Sequence, residues 1–190
     1  AYTISYDLAG GSLPTGKTNP TTFTINSKPM DLVQPKREGY TFEGWSGTDI
    51  KEKDTQVTVT ARPLKDRTYT ANWKENSYTI VFNVEGEVTR GEMKNIPLRY
   101  TQETTIPKNG YVCGGYKFVG WRTGGKKSEQ KVYQPGDKVS RLCATNNGTV
   151  NLYPIWEPCE YTITFDYQTG NKREKVTCKY KETYTFPTVN

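Results

Sequence analysis

The chain of 190 residues contains no histidine. Histidine is the commonest general base, the usual partner of serine and cysteine nucleophiles, and the commonest protein ligand of metals. The glycine pairs Gly114-Gly115 and Gly124-Gly125 sit between predicted strands and do not lead into a helix, as a phosphate-binding loop would. We therefore expect no catalytic residue, no cofactor and no enzymatic activity.

Long apolar runs are also missing, since no segment approaches the roughly 20 apolar residues of a membrane-spanning helix. The net charge is +6, but the charges alternate in sign, as in Lys51-Glu52-Lys53-Asp54. A nucleic-acid-binding surface needs basic residues gathered on one face. The sequence predicts neither direct membrane insertion nor a nucleic acid partner for this stretch.

Residues that favour helices are scarce, with 5 Ala and 7 Leu against 28 Thr and 14 Tyr. Thr and Tyr favour strands, and 17 Gly and 11 Pro interrupt the short apolar runs. In the segment 78–82, Tyr78, Ile80 and Phe82 alternate with smaller residues, as in a half-buried strand. The predicted fold class is mainly β, with at most one short helix in each unit.

Self-similarity divides the chain into units of nearly equal length. Three anchors recur in the same order: Tyr-Thr-Ile from Tyr2, Tyr78 and Tyr161, Gly-Trp at Trp45 and Trp121, and closing tryptophans at Trp73 and Trp156. Several anchors in a fixed order indicate internal repeats. We assign repeat 1 to residues 1–76, repeat 2, with insertions, to residues 77–158, and a truncated repeat 3 to residues 159–190, arranged end to end.

Repeat 3 supplies only an opening hairpin, with its turn near residues 168–170 and a proline stop at Pro187. A two-stranded hairpin is at best marginally stable alone. We expect it to be ordered by packing on repeat 2, by pairing with a neighbouring chain, or through a disulfide.

The centre of each full repeat carries one motif, GYTFEGW at residues 39–45 and GYKFVGW at residues 115–121. With the opening Tyr-Thr-Ile and the closing Ala71-Asn72-Trp73, this pattern resembles the Listeria–Bacteroides repeat, which includes the B repeat of internalins. Repeat 2 departs from it at the close, where Pro154 replaces the alanine. The resemblance covers nearly the whole chain. It implies β-grasp-like modules in arrays on bacterial surface or secreted proteins, with no general catalytic role and no single ligand.

The repeated aromatic residues are expected to build the core, because units of about 75 residues have little other apolar surface to bury. The predicted core tryptophans are Trp45, Trp73, Trp121 and Trp156. Strand alternation puts Trp45 and Trp121 on the face opposite the preceding Tyr and Phe, unless Gly44 or Gly120 bulges the strand.

The four cysteines lie in the longer segments of repeat 2, at Cys113 and Cys143, and around the repeat 3 hairpin, at Cys159 and Cys178. The bridges Cys113–Cys143 and Cys159–Cys178 would pin loops that lack a core and would place the protein outside the cytosol. Free thiols are the alternative. No metal site is predicted, because the spacings contain no C-x-x-C pair.

The expected function is a non-catalytic spacer or stalk of an extracellular or cell-surface protein, with adhesive contacts to a surface protein or glycan. The alternative is a glycan- or host-protein-binding module that uses exposed aromatic residues of the insertions, namely Tyr111, Tyr133 and Tyr153. Buried tryptophans would favour the spacer, and an exposed aromatic row would favour binding.

Overall fold

A computed structural model describes residues 1–167 and 173–186 of the chain. Its regular structure is almost entirely β, which confirms the predicted fold class. Within the described residues the helical structure is a single 3₁₀ turn, Lys127–Glu129. That part of the chain also holds no helix with the length and apolar character needed to cross a membrane.

Repeat 1 folds into a five-stranded sheet in the order β2-β1-β7-β4-β5, and β3 pairs separately with β6. The opening strand β1 and the closing strand β7 are parallel neighbours, whereas β4 pairs with β7 in the antiparallel sense. The strands of this repeat are β1 (Tyr2–Asp7), β2 (Thr22–Phe23), β3 (Met30–Asp31), β4 (Tyr40–Gly47), β5 (Ile50–Asp54), β6 (Thr58–Val59) and β7 (Arg67–Glu75).

Repeat 2 forms a second five-stranded sheet in the order β10-β8-β16-β13-β14, which matches the first strand for strand. Its strands are β8 (Ser77–Phe82), β9 (Val88–Arg90), β10 (Ile96–Arg99), β11 (Thr104–Thr105), β12 (Val112–Cys113), β13 (Tyr116–Thr123), β14 (Val132–Tyr133), β15 (Lys138–Val139) and β16 (Gly148–Pro158). The pair β9–β12 uses the insertion predicted around Cys113. No helix packs on either sheet among the described residues, so the β-grasp detail implied by the resemblance stays a proposal.

Repeat 3 contributes an antiparallel hairpin of β17 (Glu160–Asp166) and β18 (Arg173–Lys179). The predicted turn near residues 168–170 and the proline stop at Pro187 lie outside the described residues.

Contacts divide the chain into two compact units that do not follow the repeat boundaries. The first unit contains residues 1–79, 97–103 and 140–149, and the second contains residues 80–96, 104–139 and the described residues from 150 onward. Two short segments of repeat 2 therefore pack with repeat 1. The repeat boundaries at residues 76 and 158 remain a proposal from the sequence alignment.

A one-residue bulge in the central strand places each motif tryptophan beside the preceding phenylalanine. Across from β7, the register steps from Phe42 directly to Gly44, which leaves the residue between them unpaired. A bulge reverses the face on which the following side chains lie. As a result, the rings of Phe42 and Trp45 meet at 5.5 Å between centroids. The sequence placed Trp45 on the opposite face unless the strand bulges near Gly44, and repeat 1 has such a bulge.

The same bulge occurs in repeat 2, where the register against β16 steps from Phe118 to Gly120. The rings of Phe118 and Trp121 are 5.1 Å apart. Trp45 and Trp121 are both 0% exposed and occupy equivalent places. The repeat 1 core around Trp45 is formed by Ile4, Phe23, Leu32, Val59, Tyr69 and Ala71.

The closing tryptophans have a different role from the motif tryptophans. Trp73 and Trp156 are half-buried. The indole of Trp73 donates a hydrogen bond to the Leu8 carbonyl (3.0 Å), and that of Trp156 donates to the Glu85 carbonyl (3.1 Å). Each closing tryptophan thus ties the last strand of its repeat to the turn that follows the first strand.

We expect Trp45→Ala to lower the free energy of unfolding by about 3–5 kcal/mol, because it removes a fully buried indole from a small core. Scanning calorimetry measures this loss. The control is Leu64→Ala, which truncates a side chain that is 39% exposed and should change stability by about 0.5 kcal/mol or less. If the two variants unfold alike, Trp45 does not carry the core.

Candidate functional site

The same tyrosine–glycine contact lies at the end of both full repeats. In the first unit, Tyr100 packs against Gly39, the first glycine of the motif. A β-carbon at Gly39 would collide with the Tyr100 ring, and Gly39 also has a φ of 75°. The Tyr40 ring meets Tyr100 edge-on at 6.3 Å. The contact therefore needs a glycine for both space and backbone conformation.

A single linker residue, Asn76, joins β7 to β8 at this contact. Its amide donates to the Gly39 carbonyl (2.9 Å), and its carbonyl accepts from the Tyr100 amide (2.9 Å). The Asn76 side chain is buried. It accepts a hydrogen bond from Thr41 Oγ1 (2.6 Å) and donates to the Ala144 carbonyl (2.7 Å). Buried polar groups that are satisfied in this way fix the conformation of a linker.

The second unit contains the same arrangement one repeat later. Cys159 is the one residue between β16 and β17. Its amide donates to the Gly115 carbonyl (2.8 Å), and its carbonyl accepts from the Tyr180 amide (2.9 Å). Tyr180 packs on Gly115, and its ring meets Tyr116 edge-on at 5.4 Å. We call each arrangement of motif glycine, linker residue and tyrosine a joint.

The polar contacts around the two joints differ. At the first joint, Glu75 accepts hydrogen bonds from the Thr101 hydroxyl and amide, and these lower the pKa of the Glu75 carboxyl below its ordinary value. At the second joint, Lys181 forms an ion pair with Glu87 (2.6 Å), and that hydrogen bond raises the pKa of Lys181. Exposed pairs contribute little to stability. The two joints share the packing of a tyrosine ring on the motif glycine and the two backbone hydrogen bonds of the linker residue.

Each joint tyrosine is presented by a tight turn. Gln102 N–H donates to the Arg99 carbonyl (3.1 Å), and Glu182 N–H donates to the Lys179 carbonyl (3.0 Å). The Gln102 side chain closes the first turn by accepting from the Arg99 amide (3.2 Å). Residues 100–107 (YTQETTIP) and 180–187 (YKETYTFP) match in sequence, which shows that the tyrosine recurs, but the sequence does not indicate the glycine on which it rests.

The two disulfides expected from the sequence are not supported, because all four cysteines are free thiols in the structure. In the hairpin register Cys178 pairs with Tyr161, which lies two residues after Cys159. Cys159 and Cys178 are therefore diagonal neighbours. Diagonal neighbours across a strand pair are about 7–8 Å apart, which is too far for a disulfide. Cys113 is buried, and Cys143 is half-buried. The described residues also contain no group of three His, Cys, Asp or Glu side chains suited to hold a metal.

The aromatic residues considered for ligand binding do not form an exposed row. Tyr111 is 7% exposed, and its hydroxyl donates to the Phe82 carbonyl (2.9 Å). Its burial raises the pKa of Tyr111. Tyr133 and Tyr153 are half-buried. The expectation that Tyr111 is available to a ligand is therefore wrong, because Tyr111 packs beside Trp121 at 6.1 Å.

We expect Gly39→Ala to destabilise the first joint by more than about 1 kcal/mol, because the methyl group collides with Tyr100 and strains a positive φ. Amide exchange at Asn76 and Tyr100 should accelerate. Gly16→Ala is the matched control, since Gly16 has a φ of 73° but nothing within 4 Å of the added carbon. Gly16→Ala should strain the backbone without a steric collision. Equal amide exchange at Asn76 and Tyr100 in the two variants would contradict the assignment of Gly39 to the joint.

Acid should loosen the first joint, because a carboxyl with a lowered pKa stabilises the fold above the ordinary glutamate range. That contribution is lost as pH falls through the folded-state pKa. An NMR titration of the Thr101 amide should therefore show a transition below the ordinary range in the parent. Glu75→Gln should remove the transition, and its persistence would assign it to another group.

Comparison with known proteins identifies the family. The model of the Listeria-Bacteroides repeat domain matches residues 2–68 and 78–153. A putative Gly-rich membrane protein of Evansella cellulosilytica is 24% identical across 98% of the chain and 22% of its own length. Internalin H of Listeria monocytogenes is 30% identical across 67% of the chain and 22% of its own length.

A second Evansella cellulosilytica relative, a putative membrane protein, is 26% identical across 98% of the chain and 26% of its own length. The chain thus spans about a quarter of the length of these relatives. No solved structure matches it. The two family matches fall on the two strand-for-strand equivalent sheets, and the chain belongs to the Listeria-Bacteroides repeat family.

Proposed function

We propose that this chain is a non-catalytic spacer or stalk segment of a bacterial surface or secreted protein. The observation that carries the proposal is the joint. A spacer must hold successive modules in series, and each joint does so with one linker residue that is hydrogen-bonded on both sides. The assigned repeats at residues 1–76, 77–158 and 159–190 are the physical units of this proposal.

The relatives support a location at the cell surface. Two are named as membrane proteins and the third as an internalin. Since the chain covers about a quarter of each, any domain that it would project lies in the remainder of such proteins. Weak adhesive contacts to a surface protein or glycan are part of the proposal.

The burial of the aromatic residues favours the spacer over the ligand-binding alternative. Trp45 and Trp121 are fully buried, and Tyr111 serves the repeat 2 core. The ligand-binding alternative relies on exposed aromatic rings on which a sugar can stack. Among the described residues, the aromatic side chains with large exposure are Tyr161 and Phe186, both in repeat 3. The absence of such highly exposed aromatic side chains from the described residues of repeats 1 and 2 supports the spacer.

A display experiment tests the spacer. The chain is placed between a wall anchor and a domain of known ligand on a bacterium, and capture of ligand-coated beads is measured under flow. We expect capture to exceed that of the domain fused directly to the anchor. The variant Gly39→Ala/Gly115→Ala has the same length and should capture fewer beads, because both joints are disturbed.

The same cells without the tip domain distinguish the two functions. A spacer by itself should not retain beads coated with glycans or host surface proteins. Retention at the level of the complete display would show that the repeats themselves are the binding module.

A further inference from the structure

The first and last strands of repeat 1 are parallel partners. Ile4 pairs with Arg67 at one end of the β1–β7 ladder, and Asp7 pairs with Thr70 at the other. The chain enters the repeat at the start of β1 and leaves it at the end of β7. Tension applied to the two ends of the repeat must therefore slide β1 along β7, and the bridging hydrogen bonds are loaded together.

Repeat 2 has the same geometry. The sheet order places β8 beside β16. Asn147 N–H donates to the Ser77 carbonyl (2.7 Å), and Asn83 N–H donates to the Leu152 carbonyl (2.8 Å). Residue numbers rise together on the two strands, so the strands are parallel. The chain again enters at the start of one strand and leaves at the end of its partner.

The pair in repeat 1 is interior in its sheet, and one of its two faces is buried in the core. Strand β2 pairs with the start of β1 at Tyr2 and Thr3, and β4 pairs with β7 along its length. Ile4 is 4% exposed and Tyr69 is 3% exposed, so water has little access to replace a stretched hydrogen bond. Because tension shears this ladder along its length, its bonds are loaded together, and the buried face slows their replacement by water.

The start of β7 is anchored further by two side chains. Arg67 is 4% exposed, and its guanidinium donates to the Thr60 (2.8 Å) and Pro63 (3.0 Å) carbonyls. Asp66 extends the ladder by one bond, because its carboxylate accepts from the Thr3 amide (2.8 Å). The Asp66 contact bridges to β1 and resists its sliding against β7, whereas the Arg67 contacts fix the start of β7 to the segment that precedes it.

The repeat 3 hairpin provides a contrast within the same chain. Strands β17 and β18 are antiparallel, and Glu160 pairs with Lys179 where the chain enters and leaves the hairpin. Tension at these two residues opens the hairpin one pair at a time. Such a pairing yields at lower force than a ladder that is sheared.

We propose that repeats 1 and 2 are mechanical clamps, in which the parallel pairs β1–β7 and β8–β16 resist tension transmitted along the chain. This inference rests on the proposed spacer function and adds that the spacer withstands tension along the chain. A surface protein that holds a cell to a ligand in flowing liquid experiences such tension.

Single-molecule force spectroscopy on the full chain, with handles at its two termini, tests the clamp. We expect two high-force events, one releasing about 250 Å as roughly 74 residues of repeat 1 extend and one releasing about 280 Å as roughly 82 residues of repeat 2 extend. Opening of the residue 160–179 hairpin should occur at lower force in the same trace. Unfolding of both repeats at or below the force of the hairpin would overturn the proposal.

A second pulling geometry separates mechanical resistance from stability. One handle stays at the N-terminus, and the other is coupled through a non-natural amino acid to position 65, beside the start of β7. Lys65 is exposed, and its ion pair with Asp49 is a surface contact. Since Ile4 pairs with Arg67, this geometry peels β1 from β7 at their common end.

We expect the rupture force of repeat 1 to fall about twofold or more when its ladder is peeled instead of sheared. Thermal unfolding of the two labelled proteins should agree, which shows that the fold is unchanged. Equal rupture forces in the two geometries would overturn the clamp. That result would leave bead capture in the display experiment unaffected, so failure of the clamp and failure of the spacer are distinguishable.

Discussion

The bulge before Gly44 and Gly120 is the constraint on which each repeat depends. In a regular strand, a phenylalanine and a tryptophan three residues apart lie on opposite faces. The bulge brings Phe42 and Trp45 to the same face, where the indole is completely buried. A β-carbon at Gly44 would lie 2.7 Å from the backbone of Asp54. The glycine therefore permits both the bulge and the close approach of the neighbouring strand.

The first glycine of the same motif serves the following repeat. Gly39 and Gly115 each receive a tyrosine ring from the turn one repeat later. A seven-residue motif thus sets the core of its own repeat through one glycine and the joint through the other. In repeat 1 the equivalent turn, in which Ser27 N–H donates to the Thr24 carbonyl, presents Ile25, which is 47% exposed. The tyrosine therefore occurs at the turns that pack on a motif glycine of the preceding repeat, and the repeat fold itself does not require it.

The sequence was sufficient for features that depend on local pattern. Strand periodicity predicted the β class, and the parity of the motif tryptophans left open whether they face away from the preceding aromatic residues or a bulge turns them to the same face. Features that depend on strand register or on contacts between distant residues were harder to predict from the sequence. A shift in hairpin register was enough to place Cys178 opposite Tyr161 and away from Cys159. The contact of Tyr100 with Gly39 joins residues far apart in the chain, so no local spacing indicates it.

The joint and the parallel strands act on the same path of force along the chain. Asn76 is the one residue between the closing strand of repeat 1 and the opening strand of repeat 2, and Cys159 follows the closing strand of repeat 2. A longer polar linker would extend under tension before either clamp carried any load. A single residue that is hydrogen-bonded on both sides has no such slack. Tension that leaves β7 therefore reaches β8 directly, and the short joint is what lets two separate clamps work in series.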